Sequence, residues 1–160
     1  MKYLLASLLL LGNAALAADG IMIPENSAWV RATPPGVTTT AIYLTVMNHG
    51  SSDISLLSAA SEISPKIELH THKHEDGVMK MQQVESIAIA AGEQTSLKPH
   101  AEHIMVFNLN KSLEAGDQIT VELAFDNGNT HTIEVPVLKE SPNADVKHVN
   151  HKEHNNHKKK

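Results

Sequence analysis

Cysteine is absent from the 160 residues. That excludes disulfides, thiol–disulfide exchange and a blue-copper centre, which needs a Cys thiolate. It also leaves no N-terminal Cys to carry a lipid, so a soluble exported protein is expected. Basic residues are scarce in the body of the chain. Residues 18–139 hold 7 basic and 15 acidic side chains, a balance of −8. Nucleic acid is therefore not an expected partner, because its phosphates demand a basic surface. No apolar run reaches the length of a membrane span, so no membrane insertion is expected after removal of the leader described below. H-E-x-x-H is missing, since His74-Glu75-Asp76 lacks the second His, and there is no nucleophile elbow. An enzyme is not expected. Internal repeats and helical periodicity are also lacking.

What is present begins with a leader. Lys2 gives a positive start, Leu4 to Leu11 is a short apolar run, and Ala15-Leu16-Ala17 is a small-residue cleavage site. Residues 1–17 are read as a signal peptide, with the mature chain starting at Ala18 and a periplasmic location. Residues 18–139 form one expected domain. Short β-rich segments recur every 8–12 residues between turn signals, including Thr33-Pro34-Pro35-Gly36, Asp76-Gly77, Gly116-Asp117 and Asn127-Gly128. That spacing predicts an all-β sandwich or barrel. Strands are expected over Ile21 to Ala32 with a break at Pro24, Thr40 to Asn48, Asp53 to Ala60, Lys66 to Lys73, Val78 to Val84, His103 to Leu109, Gln118 to Phe125 and Thr130 to Leu138. Residues 140–160 change character, balance to +2 and carry His148, His151, His154 and His157 at intervals of three. This stretch cannot bury itself and is expected to be a disordered His/Lys-rich tail with metal affinity.

Chemistry concentrates between Ile67 and Phe107. Five of the 11 His and three of the 6 Met fall there: His70, His72, His74, Met79, Met81, His100, His103 and Met105. Thioether sulfur is soft and favours Cu(I), and imidazole suits copper in either oxidation state. If Asp76-Gly77 is a two-residue hairpin turn, His74 pairs with Met79, His72 with Met81 and His70 with Gln83. Alternation then sets His70, His72, His74, Met79 and Met81 on one face. His103 and Met105 likewise share a face of their strand. His49 and His131 sit near turns and are read as surface residues; Met22 and Met47 are read as core or strand residues.

The spacing resembles that of a known family. His70, ten residues, Met81, twenty-one residues and His103-x-Met105 is the pattern of the periplasmic copper chaperones (PCuAC) associated with assembly of the CuA centre of cytochrome oxidase. Trp29-Val30-Arg31-Ala32-Thr33-Pro34-Pro35, Ala41-Ile42-Tyr43-Leu44 and Val135-Pro136-Val137 add framework agreement, and the resemblance spans about Trp29 to Val137. It implies a cupredoxin-like Greek-key β-sandwich. It also implies one Cu(I), held near the surface by His70, Met81, His103 and Met105. Two departures add imidazoles: His72 stands where the family often has Met, and Pro99-His100-Ala101-Glu102 replaces Pro-Gly-Gly.

The resemblance implies capture of Cu(I) and delivery to an apo-cuproprotein, such as cytochrome oxidase subunit II, or to another copper chaperone. A monomer is expected. The alternative is a periplasmic copper or zinc buffer with no dedicated recipient. It draws on secondary sites at His72, His74, Met79, His100 and the four tail His, where Cu(II) or Zn(II) would add to the ions bound.

Overall fold

Alternation of apolar and polar side chains decides most strands. In Gln118–Phe125, Ile119, Val121, Leu123 and Phe125 are buried while Gln118, Thr120 and Glu122 face solvent. β-branched residues at alternate positions suit a pleated surface with one covered face. The computed structural model describes residues 20–75 and 77–142. Its strands are β1 (Ile21–Met22), β2 (Trp29–Arg31), β3 (Thr40–Asn48), β4 (Ile54–Ala60), β5 (Lys66–Glu75) and β6 (Val78–Gln83). They continue with β7 (Ile87–Ile89), β8 (Gln94–Leu97), β9 (His103–Phe107), β10 (Gln118–Phe125) and β11 (Thr130–Leu138). There is no helix among the described residues. None is therefore long and apolar enough to cross a membrane.

The strands join in the order β6-β5-β9-β3-β2-β11-β10-β4-β7, with β1 and β8 added to β3. β3 serves two neighbours in succession, pairing with β9 through Thr40–Ile42 and with β8 through Leu44–Met47. β11 pairs antiparallel with β10 and then, at Val137 and Leu138, parallel with β2. These two strands tie two layers into a β-sandwich. Val30, Ile42, Leu69 and Ile104 from one layer meet Leu56, Val121, Leu123 and Val135 from the other in a single buried cluster. The all-β expectation is met.

The layer built from β5, β9, β3 and β2 has a second, outward face. In β9, Ile104 and Val106 enter the main core, which leaves His103 and Met105 on the opposite side. In β5, Leu69 enters the core, which leaves Glu68, His70 and His72 outside. Trp29, Ala41, Tyr43 and Met105 form a separate small buried cluster there. One row of that face runs Trp29, Tyr43, His103, His70 across β2, β3, β9 and β5.

Several expectations shift. β5 runs two residues past Lys73, and β9 stops at Phe107 because Asn108 turns to a φ of 53°. Asp76 lies outside the described residues. Glu75 pairs with Val78 across the expected two-residue connection, and Gly77 takes the positive φ (79°) that such a turn needs. Met22 is a strand residue, in β1, and is exposed at 44% rather than buried in the core. His131 is not a simple surface residue. It is half-buried, with its ring edge-on to Phe125 at 5.7 Å. The expected leader (1–17) lies outside the described residues, as do the tail His148, His151, His154 and His157.

The two-layer core predicts a sharp contrast in stability. Ile104→Ala, at a fully buried position, is expected to cost about 2–5 kcal/mol in chemical denaturation. Val78→Ala, on the exposed edge strand, is expected to stay within about 0.5 kcal/mol of the parent.

Candidate metal centre

The β5–β9 register sets His70 directly opposite His103, and Glu68 opposite Met105. The β5–β6 register sets His72 opposite Met81 and His74 opposite Met79. Met81 is therefore a diagonal neighbour of His70, within reach of a long side chain. His70, His103 and Met105 are buried, at 8%, 3% and 8% exposure, while Met81 is 48% exposed. Three of the four expected ligands thus lie in the sheet face, and the fourth covers them from the edge strand.

Each buried imidazole has one nitrogen already committed. His103 Nδ1 lies 2.8 Å from the Ala101 carbonyl oxygen. A carbonyl only accepts, so Nδ1–H donates and the neutral ring carries its lone pair on Nε2. That Nε2 faces the Met81 sulfur at 3.1 Å. Two lone pairs then point at one another with no proton between them, an arrangement that a cation relieves. His70 is committed in the opposite sense. Its Nε2–H donates to the Glu68 carboxylate at 2.9 Å, and its Nδ1 is buried with no hydrogen-bond partner among the described residues. A buried nitrogen left unpaired costs about 1–3 kcal/mol, so it calls for an explanation. Glu68 and the Ala101 carbonyl fill the outer-shell role that orients metal-binding His in general.

Local backbone structure places these supports. Lys98 N–H donates to the Glu102 carbonyl (2.8 Å) and Ala101 N–H to the Lys98 carbonyl (3.1 Å), closing the turn that aims the Ala101 carbonyl. His100 takes a positive φ of 66° in that turn. The hydrogen bond from His70 holds the Glu68 carboxyl below the usual carboxylate range, and Lys66, 3.3 Å away, adds to the effect. Burial pushes the His103 imidazole below its usual value, outweighing the Ala101 hydrogen bond. A neutral imidazole is the form that binds a metal.

The sequence-predicted residues fall into three groups. His70, Met81, His103 and Met105 share one face around a single patch. His72 is half-buried beside them, its ring centroid 5.1 Å from that of His103 and 5.9 Å from that of His100. His74 and Met79 stand apart at the exposed end of the hairpin, Nδ1 and sulfur 3.4 Å apart. Among the described residues, no three His, Asp or Glu side chains are grouped to hold a metal. A set of more than two side-chain donors here has to include thioether sulfur, which points to a soft ion.

Sequence reasoning missed Glu68, Trp29 and Tyr43. Glu68 was readable, because Glu68-x-His70 places both on one strand face. The Trp29 and Tyr43 rings pack tilted with centroids 4.6 Å apart, and the Tyr43 ring lies 6.4 Å from that of His103. Their place beside the site depends on pairing between strands distant in sequence.

Residues 25–137 match the family described as "Putative lipoprotein LpqE-like". The chain belongs to the LpqE-like family. This LpqE-like chain is 36% identical over 121 residues to "Putative lipoprotein Lxx21020" of Leifsonia xyli subsp. xyli, covering 75% of this chain and 70% of that one. It is similar to the solution structure of CuI-DR1885 from Deinococcus radiodurans, with a TM-score of 0.60, 28% identity and coverage of 81% and 83%. It shares its fold with the copper-bound PCuAC domain from PmoF2, with a TM-score of 0.64, 19% identity and coverage of 76% and 94%. The resemblance read from the sequence, and the β-sandwich it implied, are both borne out.

The depressed His103 value has a consequence for the metal-free protein. Below about pH 6.5 the unfolded chain takes up a proton that folded His103 resists. Stability is present above that pH and is lost as the pH falls toward the depressed folded value. Thermal melts should show a fall in Tm on acidification through this window. His103→Gln should show a smaller fall; an unchanged slope would assign the loss to another group.

Proposed function

We propose that this protein is an exported copper chaperone that takes Cu(I) as cargo through His70 Nδ1, His103 Nε2, Met81 and Met105. The observation that carries the reading is the pair of pre-committed imidazoles. One aims its free nitrogen at a Met sulfur 3.1 Å away, and the other buries its free nitrogen without a partner. The Cu(I) form of the Deinococcus radiodurans relative supports the choice of ion. Two thioethers and two imidazoles make a neutral donor set suited to Cu(I). Without thiolate, the set holds the ion less tightly than a Cys site would, which suits a carrier that must release it. Exposed Met81 offers the point where an acceptor's ligands enter and take the ion stepwise. The acceptor we propose is an apo-cuproprotein, of which the CuA-bearing subunit of cytochrome oxidase is the type suggested by the sequence resemblance. Residues 1–17 would direct export to the periplasm, and the chain would act as a monomer.

A second reading is a copper or zinc buffer. The closeness of His72 to both His100 and His103 favours it, since it places additional imidazoles beside the main site.

An anaerobic Cu(I) titration against a chromophoric competitor separates the two. It would use the full chain and a full-length variant with His148, His151, His154 and His157 changed to Ser. The chaperone reading expects one tight site in both proteins. Met81→Ala and Met105→Ala should each weaken it by at least the roughly 10–100-fold that loss of an outer-shell partner costs, and Glu68→Ala by about that amount. Affinity should fall only in part as the pH drops, because imidazole competes with protons and thioether does not. Binding that vanishes with the tail His, or ignores both Met changes, would favour the buffer.

A further inference from the structure

Beyond the buried patch, the β5–β6 hairpin continues as an arm. β9 pairs with β5 only from Lys66 to His70, whereas β6 accompanies β5 as far as Glu75. Every residue of β6 is exposed. On one face of this arm two rungs repeat the same chemistry: His72 opposite Met81, then His74 opposite Met79. Rungs on the same face are two residues apart, about 6.6–6.8 Å along the strand. His74 Nδ1 lies 3.4 Å from the Met79 sulfur, and Met79 is 51% exposed. An ion whose tetrahedral coordination is completed by ligands of the donor or acceptor molecule, with bonds of about 2.1 Å to nitrogen and 2.3 Å to sulfur, spaces those two donors by about 3.6 Å. The outer rung is therefore set close to the spacing a bound ion imposes. The middle rung joins it to the inner site, because the His72 ring sits 5.1 Å from that of His103 and Met81 already faces His103.

We infer that the His74–Met79 rung is a second, weaker Cu(I) station through which the ion enters and leaves the buried site by way of His72 and Met81. The relay rests on the Cu(I) reading of the inner site; the existence of the outer station does not. Each transfer is ligand exchange at constant oxidation state. One imidazole or thioether bond forms as another breaks, and no electron or proton needs an external source. The outer rung offers two exposed donors against the inner site's four, so it fills later and empties first. Its position at the tip of a two-stranded arm is where an acceptor meets the least obstruction.

The test uses the full chain with ¹³C-labelled Met methyl groups, titrated anaerobically with Cu(I) until no resonance moves further. The Met81 and Met105 methyls are expected to shift first and the Met79 methyl afterwards. His74→Ala, at an exposed position, should abolish the Met79 shift and leave the Met81 and Met105 shifts in place. A Met79 methyl that never moves, or that still moves in His74→Ala, overturns the station. Movement of Met79 without Met81 and Met105 would instead overturn the inner ligand set and leave the station standing. Stopped-flow loading from a Cu(I)–chelator complex tests the relay. His74→Ala should fill the inner site more slowly to the same final occupancy, and equal rates overturn the relay.

Discussion

The antiparallel pairing of β5 with β9 is the constraint on which the candidate site depends. It brings His70 and His103 face to face and sets Met105 one row away, from segments more than thirty residues apart in the chain. Backbone hydrogen bonds hold that pairing, and Leu69, Ile104 and Val106 on the reverse side bury it in the main core. The site therefore inherits the rigidity of the sandwich without contributing to its core. Side chains on the outer face are free to serve an ion because those on the inner face supply the apolar burial.

Rigidity is graded across the patch. His70 and His103 each have one nitrogen fixed by Glu68 or the Ala101 carbonyl, so neither ring can turn away without losing a hydrogen bond. Met105 packs beside Trp29 and Tyr43. Met81 is half exposed and lies on β6, which among the described strands pairs only with β5. A carrier has to hold its cargo and also surrender it. In the proposed site, three enclosed donors and one exposed thioether would divide those tasks between the sheet and its edge.

The acidic body and the absence of thiols fit the same picture. Thiolate would raise affinity for soft metals and add sensitivity to oxidation, whereas a set of thioether and imidazole donors is neutral and less readily oxidised to disulfide or sulfenate. The extra imidazoles at His72, His74 and His100 widen the donor field along the hairpin. Among the described residues, none of them completes a three-imidazole or carboxylate cage.

Local pattern carried much of this molecule. The period-two alternation of Gln118 to Phe125, the pairing of Glu75 with Val78 and the spacing of His70, Met81, His103 and Met105 were all legible in the sequence. Each depends on short-range geometry: strand pleat, turn length and residue chemistry. Glu68 was legible for the same reason, two residues before His70 on one face. What the sequence could not state was which strands distant in the chain are neighbours. The row from Trp29 through Tyr43 and His103 to His70 exists only because β3 lies between β2 and β9, and β9 beside β5. The choice of nitrogen on each ring likewise waits on a carboxylate and a carbonyl whose positions tertiary pairing sets. Composition and spacing determined the donor types. The pairing of distant strands decided which donors meet, which are buried and which nitrogen is left free, because those properties arise from contacts between segments that the chain order keeps apart.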